Sequence, residues 1–280
     1  MTWSATKLIL LIGIMSAMAS RCEESNSSLD KVMDLPLAVK ETSGLAIIDN
    51  NIYTHNDSGD GPYLYLIDTL SKNISKRIQL RGAKNNDWED ISSSDGTLYI
   101  GDIGNNTSSR NKYRLFKIES STIDSSGVST SDYEELEFTF RNDKGKKKNV
   151  NSEAMITIGD TSFFLSKELG KTEVYRLDPG SDRAQEIAKL ELPFEATGWT
   201  RISENKSAVC GYRKIGESYY LSDVVILEKS SEGWENVTIE GLNLQLRGQF
   251  EGIAYSEGYL YLTAEGIGIG KAQLFRYKHP

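Results

Sequence analysis

Asn86-Asp87-Trp88-Glu89-Asp90-Ile91 is the stretch on which the fold turns. Four other stretches enter a short strand in the same way. They are Glu41-Thr42-Ser43-Gly44-Leu45, Asn151-Ser152-Glu153-Ala154-Met155, Gly198-Trp199-Thr200-Arg201-Ile202 and Gln249-Phe250-Glu251-Gly252-Ile253. Each ends on an apolar residue: Leu45, Ile91, Met155, Ile202 or Ile253. Two places before it stand Ser43, Glu89, Glu153, Thr200 and Glu251, all oxygen donors. The pattern predicts a ring of ligands about the axis of a propeller.

A repeat of this kind is the strongest organisational signal a sequence can carry. Each unit holds candidate strands with period-2 alternation. The first reads 44–48, 51–55, 63–68 and 76–80; the second 91–93, 97–101, 113–119 and 134–141. The third reads 154–158, 162–166, 173–178 and 186–192; the fourth 200–203, 207–211, 223–228 and 236–241. The last has only 252–255, 259–263 and 272–278, and then the sequence stops. The spare segment, residues 30–37, lies at the other end. An all-β, five-bladed β-propeller is therefore expected, with the N-terminal strand completing the last blade and closing the ring. Pro36 suits an outermost strand, whose far edge is free.

Composition sets the class. The sequence has 280 residues and a formal charge of −8. That acidity argues against nucleic acid as a partner, because phosphate contacts need clustered Lys and Arg. Lys144-Gly145-Lys146-Lys147-Lys148 reads as a solvated hairpin tip. At the N-terminus, Lys7 precedes the apolar run Leu8–Met15, with small residues at Ala17, Ala19 and Ser20. These are the proportions of an export signal, and the run is too short for a stable membrane span. The expected organisation is a signal peptide over 1–21, a polar tether over 22–29 and one propeller domain over 30–280. Ala17-Met18-Ala19 fits ordinary cleavage, whereas Cys22 ahead of Glu23–Ser28 fits a lipidated bacterial N-terminus; Arg21 is unusual before a lipobox cysteine. The protein is thus expected outside the cytoplasm, either on a membrane through lipid on Cys22 or free in the periplasm or medium, and as a monomer. Cys210, in an apolar strand, is expected to be a buried free thiol.

Carboxylates facing one narrow axis repel each other. Either they take up protons or a cation sits among them. Oxygen donors without His or thiolate select Ca²⁺ or Mg²⁺ over zinc, and a wide ring suits Ca²⁺. The competing reading is that the glutamates only cap strand starts. In propellers the loop between second and third strands opens beside this ring, so His55–Asp60, Asp102–Asn106, Lys167-Glu168, Tyr212–Lys214 and Glu265 should gather at the same mouth.

The order Ser43, Glu89, Glu153, Thr200, Glu251 resembles the calcium-activated nucleotidase (apyrase) family of five-bladed propellers. Phe250-Glu251-Gly252-Ile253 and Thr97-Leu98-Tyr99-Ile100-Gly101 are similar to that family's corresponding strands. The resemblance implies one Ca²⁺ in the central tunnel, held by those five residues. It departs at Asn56-Asp57-Ser58-Gly59, which lacks the family's arginine. The strings Ser43–Leu45, His55–Asp60, Asp87–Ile91 and Gly101–Asn106 also resemble secreted propellers of Bacteroidetes-type bacteria, which implies fold and export only.

Two functions compete. One is a non-catalytic module that uses a Ca²⁺ site to bind a small-molecule or protein ligand at the channel mouth. The other is a Ca²⁺-dependent hydrolase of nucleoside di- or triphosphates. There the metal would polarise a phosphoryl oxygen, Asp57 or Asp102 would serve as base, and Arg213 and Lys214 would neutralise the phosphates. The missing arginine favours binding. A Ser-His-Asp mechanism is disfavoured, since His55 and His279 are the only histidines.

Overall fold

The computed structural model describes residues 29–123, 129–130, 132–217, 219–230, 233–266 and 270–279. The expected leader over 1–21, Cys22 and nearly all of the tether lie outside the described residues; Leu29 already belongs to the first strand.

After β1 (Leu29–Asp34) and a 3₁₀ turn (Leu37–Val39) come β2 (Thr42–Ile48), β3 (Asn51–Asn56), β4 (Tyr63–Asp68) and β5 (Asn73–Leu80). Next are β6 (Trp88–Ser94), β7 (Thr97–Asp102), β8 (Tyr113–Glu119), a short β9 (Ser129–Thr130) and β10 (Glu134–Arg141). Then follow β11 (Ser152–Ile158), β12 (Thr161–Ser166), β13 (Thr172–Leu177) and β14 (Arg183–Leu190). The chain continues through β15 (Glu195–Arg201), β16 (Lys206–Ile215), β17 (Tyr219–Ser230), β18 (Gly233–Gly241) and β19 (Leu246–Arg247). It ends with β20 (Phe250–Ser256), β21 (Tyr259–Ala264) and β22 (Gln273–Lys278).

Strands adjacent in sequence pair antiparallel into meanders. The meanders β6-β7-β8-β10 and β11–β14 are joined into one eight-stranded sheet by parallel pairing of β10 with β14. The N-terminal β1 pairs antiparallel with the C-terminal β22, so the two ends of the chain share one sheet. Pro36 follows the outer strand β1, where no ladder hydrogen bond is lost.

The first strands β2, β6, β11, β15 and β20 stand side by side, each beside the next and the last beside the first. This closed arrangement is a β-propeller. Apolar clusters fill the gaps between successive meanders rather than one central core. Trp88 and Phe116 pack with Tyr53 and Leu64, and Phe138 and Phe140 with Phe164 and Tyr175. Phe163 packs with Trp199 and Trp234, and Ile226 with Phe250 and Leu262. Leu274 and Ala254 pack with Leu45 and Ile67, which shuts the circle. The aromatic third strands serve this packing. Cys210 is a buried free thiol within it.

Candidate cation site at the channel mouth

Every first strand carries an irregularity at the same level. In β6, Trp88 pairs with Asp102 and Asp90 with Gly101, leaving Glu89 without a partner residue. The same skip isolates Glu153 in β11, Thr197 in β15 and Glu251 in β20. In β2 it falls across Ser43 and Gly44. A β-bulge re-aims the side chain of the extra residue. Ser43, Glu89, Glu153 and Glu251 are thereby gathered at the mouth.

The bulge in β15 corrects the expectation for that unit. Thr197 stands where Thr200 was expected, because Trp199 and not Ile202 takes the place of Leu45, Ile91, Met155 and Ile253. Thr200 lies three residues on, lining a separate depression of about 390 Å³ with Ser92 and Arg201. Its Oγ1 accepts the Tyr255 N–H at 3.1 Å. Thr197 donates its hydroxyl to the Phe250 carbonyl, and Ser43 donates to the Glu89 carbonyl at 2.7 Å. Both hydroxyls therefore clamp neighbouring first strands together.

The mouth itself is a cleft of about 160 Å³, lined by Glu41, Ser43, Asp57, Glu89, Glu153, Lys167, Tyr212, Glu251 and Glu265 among others. Lys167 is the cation of this lining. It is salt-bridged to Glu153, donates to the Tyr212 hydroxyl at 2.7 Å and lies over the Tyr212 ring. Burial works to lower the lysine pKa, but the charges of Glu153, Tyr212 and Glu251 and the hydrogen bond to Glu153 together drive it up. Glu153 also accepts from Asn151 Nδ2 at 3.3 Å.

Glu89 differs. It is 4% exposed, and its Oε1 meets no hydrogen-bond donor among the described residues. Carboxylate oxygens of Asp57, Asp87 and Glu89 all lie within 4.8 Å of one another. Burial, then the charges of Glu153, Asp57 and Asp87, push the Glu89 carboxyl well above the usual range. Burial and the Asp57 charge raise Asp87 to about 6. Burial also raises Asp57. A buried carboxylate oxygen without a donor, inside a trio of like charges, fits a hard cation supplied with all-oxygen ligands.

The surrounding loops hold this trio in place. Asp102 is fully buried, bridged to Arg110 at 2.9 Å and Arg114 at 3.5 Å. It accepts the Asp87 N–H at 3.0 Å and Asn86 Nδ2 at 2.9 Å. Asp102 is therefore a positioning residue beneath Asp87, not a base facing the cleft. Asn85 Nδ2 donates to the Asn56 and Asp57 carbonyls at 3.1 and 3.0 Å, tying the two acidic loops together. A Cβ on Gly104 would stand 2.1 Å from Glu89 Oε1 and 2.5 Å from Asp87 Cγ, so only glycine leaves room for both carboxylates. Asp60 is bound to Asn56 Nδ2 and the Tyr65 hydroxyl at 2.7 and 2.8 Å, and belongs to the turn.

One other expectation changes. Arg213 and Lys214 are exposed on the outer reach of β16, opposite Leu221 and Tyr220, and neither lines the cleft. His55 is fully buried, edge-on to Trp88 at 5.7 Å, and burial lowers its pKa to about 4, so the ring stays neutral. Asp87 escapes a reading that follows the repeated column of oxygen donors. Its signal is an acid two places before Glu89, matched by Glu41 before Ser43 and Glu195 before Thr197.

No family model matches the chain, and no curated protein matches it. Solved structures share its fold. The PQQ-bound aldose sugar dehydrogenase of Streptomyces coelicolor is similar over 90% of this chain and 98% of its own, at 10% identity and TM-score 0.53. The soluble aldose sugar dehydrogenase of Escherichia coli, in its apo form, is similar over 91% and 100%, at 10% identity and TM-score 0.51. A candidate glycoside hydrolase from Parabacteroides distasonis is similar over 92% and 95%, at 12% identity and TM-score 0.54. At such identities the likeness is one of fold, which hosts unrelated functions.

Proposed function

We propose that the protein is an exported β-propeller of five blades. Its function would be to bind a hard divalent cation, Ca²⁺ before Mg²⁺, at Asp57, Asp87 and Glu89 and to hold a ligand at that mouth. The donor-less oxygen of Glu89 carries the reading. A fully buried carboxylate costs several kcal/mol unless it is paired or protonated, and a cation shared with Asp57 and Asp87 relieves all three. Five blades follow from counting each first strand as one blade and reading the eight-stranded sheet as two blades joined by β10 and β14. The five interfacial clusters support that count. Residues 30–280 form the single domain in this reading. Export, with or without lipid on Cys22, rests on the composition of residues 1–28, and the monomer on the closed ring.

Binding is favoured over phosphoanhydride hydrolysis by the charge of the cleft. Polyphosphate needs cations to neutralise it, and Lys167 is already paired with Glu153. Asp102 is locked between two arginines. The cofactor of the Streptomyces neighbour fits no better. PQQ is a polyanion, and Asp57, Glu89, Glu251 and Glu265 would repel it.

Calorimetric titration of EDTA-treated protein tests the proposal. One Ca²⁺ site is expected, weaker for Mg²⁺ and lost in Glu89→Gln. An absence of binding heat together with an unchanged melting temperature in Ca²⁺ would overturn it.

A further inference from the structure

We infer that the cation-loaded cleft takes a neutral polyhydroxylated ligand, a saccharide, which turns a vicinal diol toward the metal and lays the rest of its ring along the β16–β17 hairpin. The inference rests on the cation reading above and names the ligand class for that site.

Charge narrows the choice first. Asp57, Glu89, Glu251 and Glu265 share the lining with Lys167, and Glu153 neutralises that lysine, as Lys40 does Glu41. One divalent cation leaves the cleft net negative, so a carboxylate or phosphate ligand is repelled. An ammonium ligand would compete with the metal for the same oxygens. A neutral ligand with many hydroxyls meets neither obstacle.

Coordination narrows it further. Ca²⁺ takes about six to eight oxygens, and three carboxylates leave open positions. A vicinal diol fills two of them with neutral oxygens and adds no charge. Its hydroxyl protons need acceptors nearby. Glu251, which accepts from Gln249 Nε2 at 3.3 Å, offers one. Burial and the Glu153 charge raise its pKa well above the ordinary range, as expected of a carboxylate short of donors. The amides of Asn106 and Gln249 in the lining supply donors for ring and hydroxyl oxygens.

Shape points the same way. The second strands β3, β7, β12 and β21 are each 6 residues long, whereas β16 has 10. Its partner β17 has 12. The extra length follows Tyr212, which lines the cleft, so the hairpin rises from the rim. Pairing of Lys214 with Tyr220 puts Tyr212, Lys214 and Tyr220 on one face of it. Tyr220 is half-buried and packs edge-on against Tyr212 at 5.2 Å. An amphipathic ring at that place suits the C–H face of a sugar. The cleft, at about 160 Å³, has room for about five waters. That is one hydroxyl-bearing edge of a pyranose, and the remainder must rest against the rim.

The test is calorimetry on the full chain in Ca²⁺ and again in EDTA. The probes are the methyl glycosides of mannose, galactose and glucose, free fucose, and galacturonate as the anionic counterpart. At least one neutral sugar should bind in Ca²⁺ only, and Tyr220→Ala should weaken it about five- to ten-fold, with the calcium isotherm as the control for folding. Calcium binding with no neutral sugar bound would overturn the inference and leave the cation reading standing. Preference for galacturonate, or sugar binding that survives EDTA, would also overturn it. Absence of calcium binding itself would overturn both readings.

Discussion

Lys167 is salt-bridged to Glu153 on the wall of the cleft, while Glu89, beside them, has an oxygen that meets no donor among the described residues. The two glutamates occupy equivalent bulges in β11 and β6, yet the chain has supplied a cation to one and not to the other. The ring is therefore divided. Its Glu153–Glu251 side is served by an internal ammonium, and its Glu89 side, where the carboxylates of Asp57 and Asp87 gather, is the side proposed to take an external ion.

Replacing the ammonium should expose this division. Lys167→Met leaves Glu153, a 5%-exposed side chain, without its partner. Breaking a buried pair costs about 3 kcal/mol or more, or about 6–12 °C in Tm for a domain of this size. Ca²⁺ should recover more of the loss in the variant than it adds to the parent, because Glu153 and Glu251 become ligands. Thermal melts of both proteins with and without Ca²⁺ check this; equal calcium shifts would mean that Lys167 does not stand in for a cation.

Gly104→Ala should remove the ion and spare the propeller. The added methyl would meet Glu89 Oε1 at 2.1 Å and Asp87 at 2.5 Å, and both carboxylates are side-chain ends that can swing away. Calcium affinity is expected to fall at least ten-fold, about 1.4 kcal/mol, with β-sheet circular dichroism unchanged. An unaltered isotherm would place the ion elsewhere.

The acids of the site set opposite pH dependences for the free and loaded protein. Asp87 has its pKa raised to about 6, chiefly by burial. Its ordinary value is about 3.9, so the metal-free folded protein binds this proton more tightly than the unfolded chain does. That contribution to stability is complete below about pH 4 and is lost as pH rises through 6. A cation displaces the proton, so calcium affinity should rise through the same interval. Melting curves from about pH 5 to pH 8 should show the calcium-induced shift widening as pH rises through 6 and levelling off above it. A shift that is flat across that range would exclude Asp87 as a ligand.

The arrangement of strands was legible from sequence because alternation and the repeated entry are local patterns. Strands 63–68, 113–119 and 134–141 are expected and found with the same bounds. The closing pair of β1 with β22 was legible from the count of strands. What failed was register in β15. Ala196-Thr197-Gly198 carries no large residue, and Trp199 fills a place that elsewhere holds an aliphatic side chain. The repeat then matched better three residues downstream, at Thr200. Asp102, Arg213 and Lys214 failed for another reason. Residue type says what a group can do, whereas burial between two arginines or exposure on an extended hairpin says what it does. The Glu153–Lys167 pairing joins β11 to the turn after β12, and neither segment's local sequence announces it.

Asp90, directly after Glu89, closes the axis beneath the site, and its replacement gives the sharpest test of the ring. Its Oδ1 accepts the Ile91 N–H at 2.8 Å, and its Oδ2 accepts the N–H groups of Met155 at 2.8 Å and Trp199 at 3.2 Å. One carboxylate thereby ties β6 to β11 and β15. Burial raises its pKa on balance, and the three N–H donors pull against that rise. Asp90→Asn keeps the volume but offers one acceptor oxygen where three donors converge, and its amide N–H₂ must face another N–H. A cost of about 2–3 kcal/mol is expected from the lost charge-assisted bonds and the donor left unmet, read as a lower denaturant midpoint with unchanged slope. A D90N variant as stable as the parent would mean that the acid is already protonated in the fold. The axis would then be closed by neutral hydrogen bonds rather than by charge.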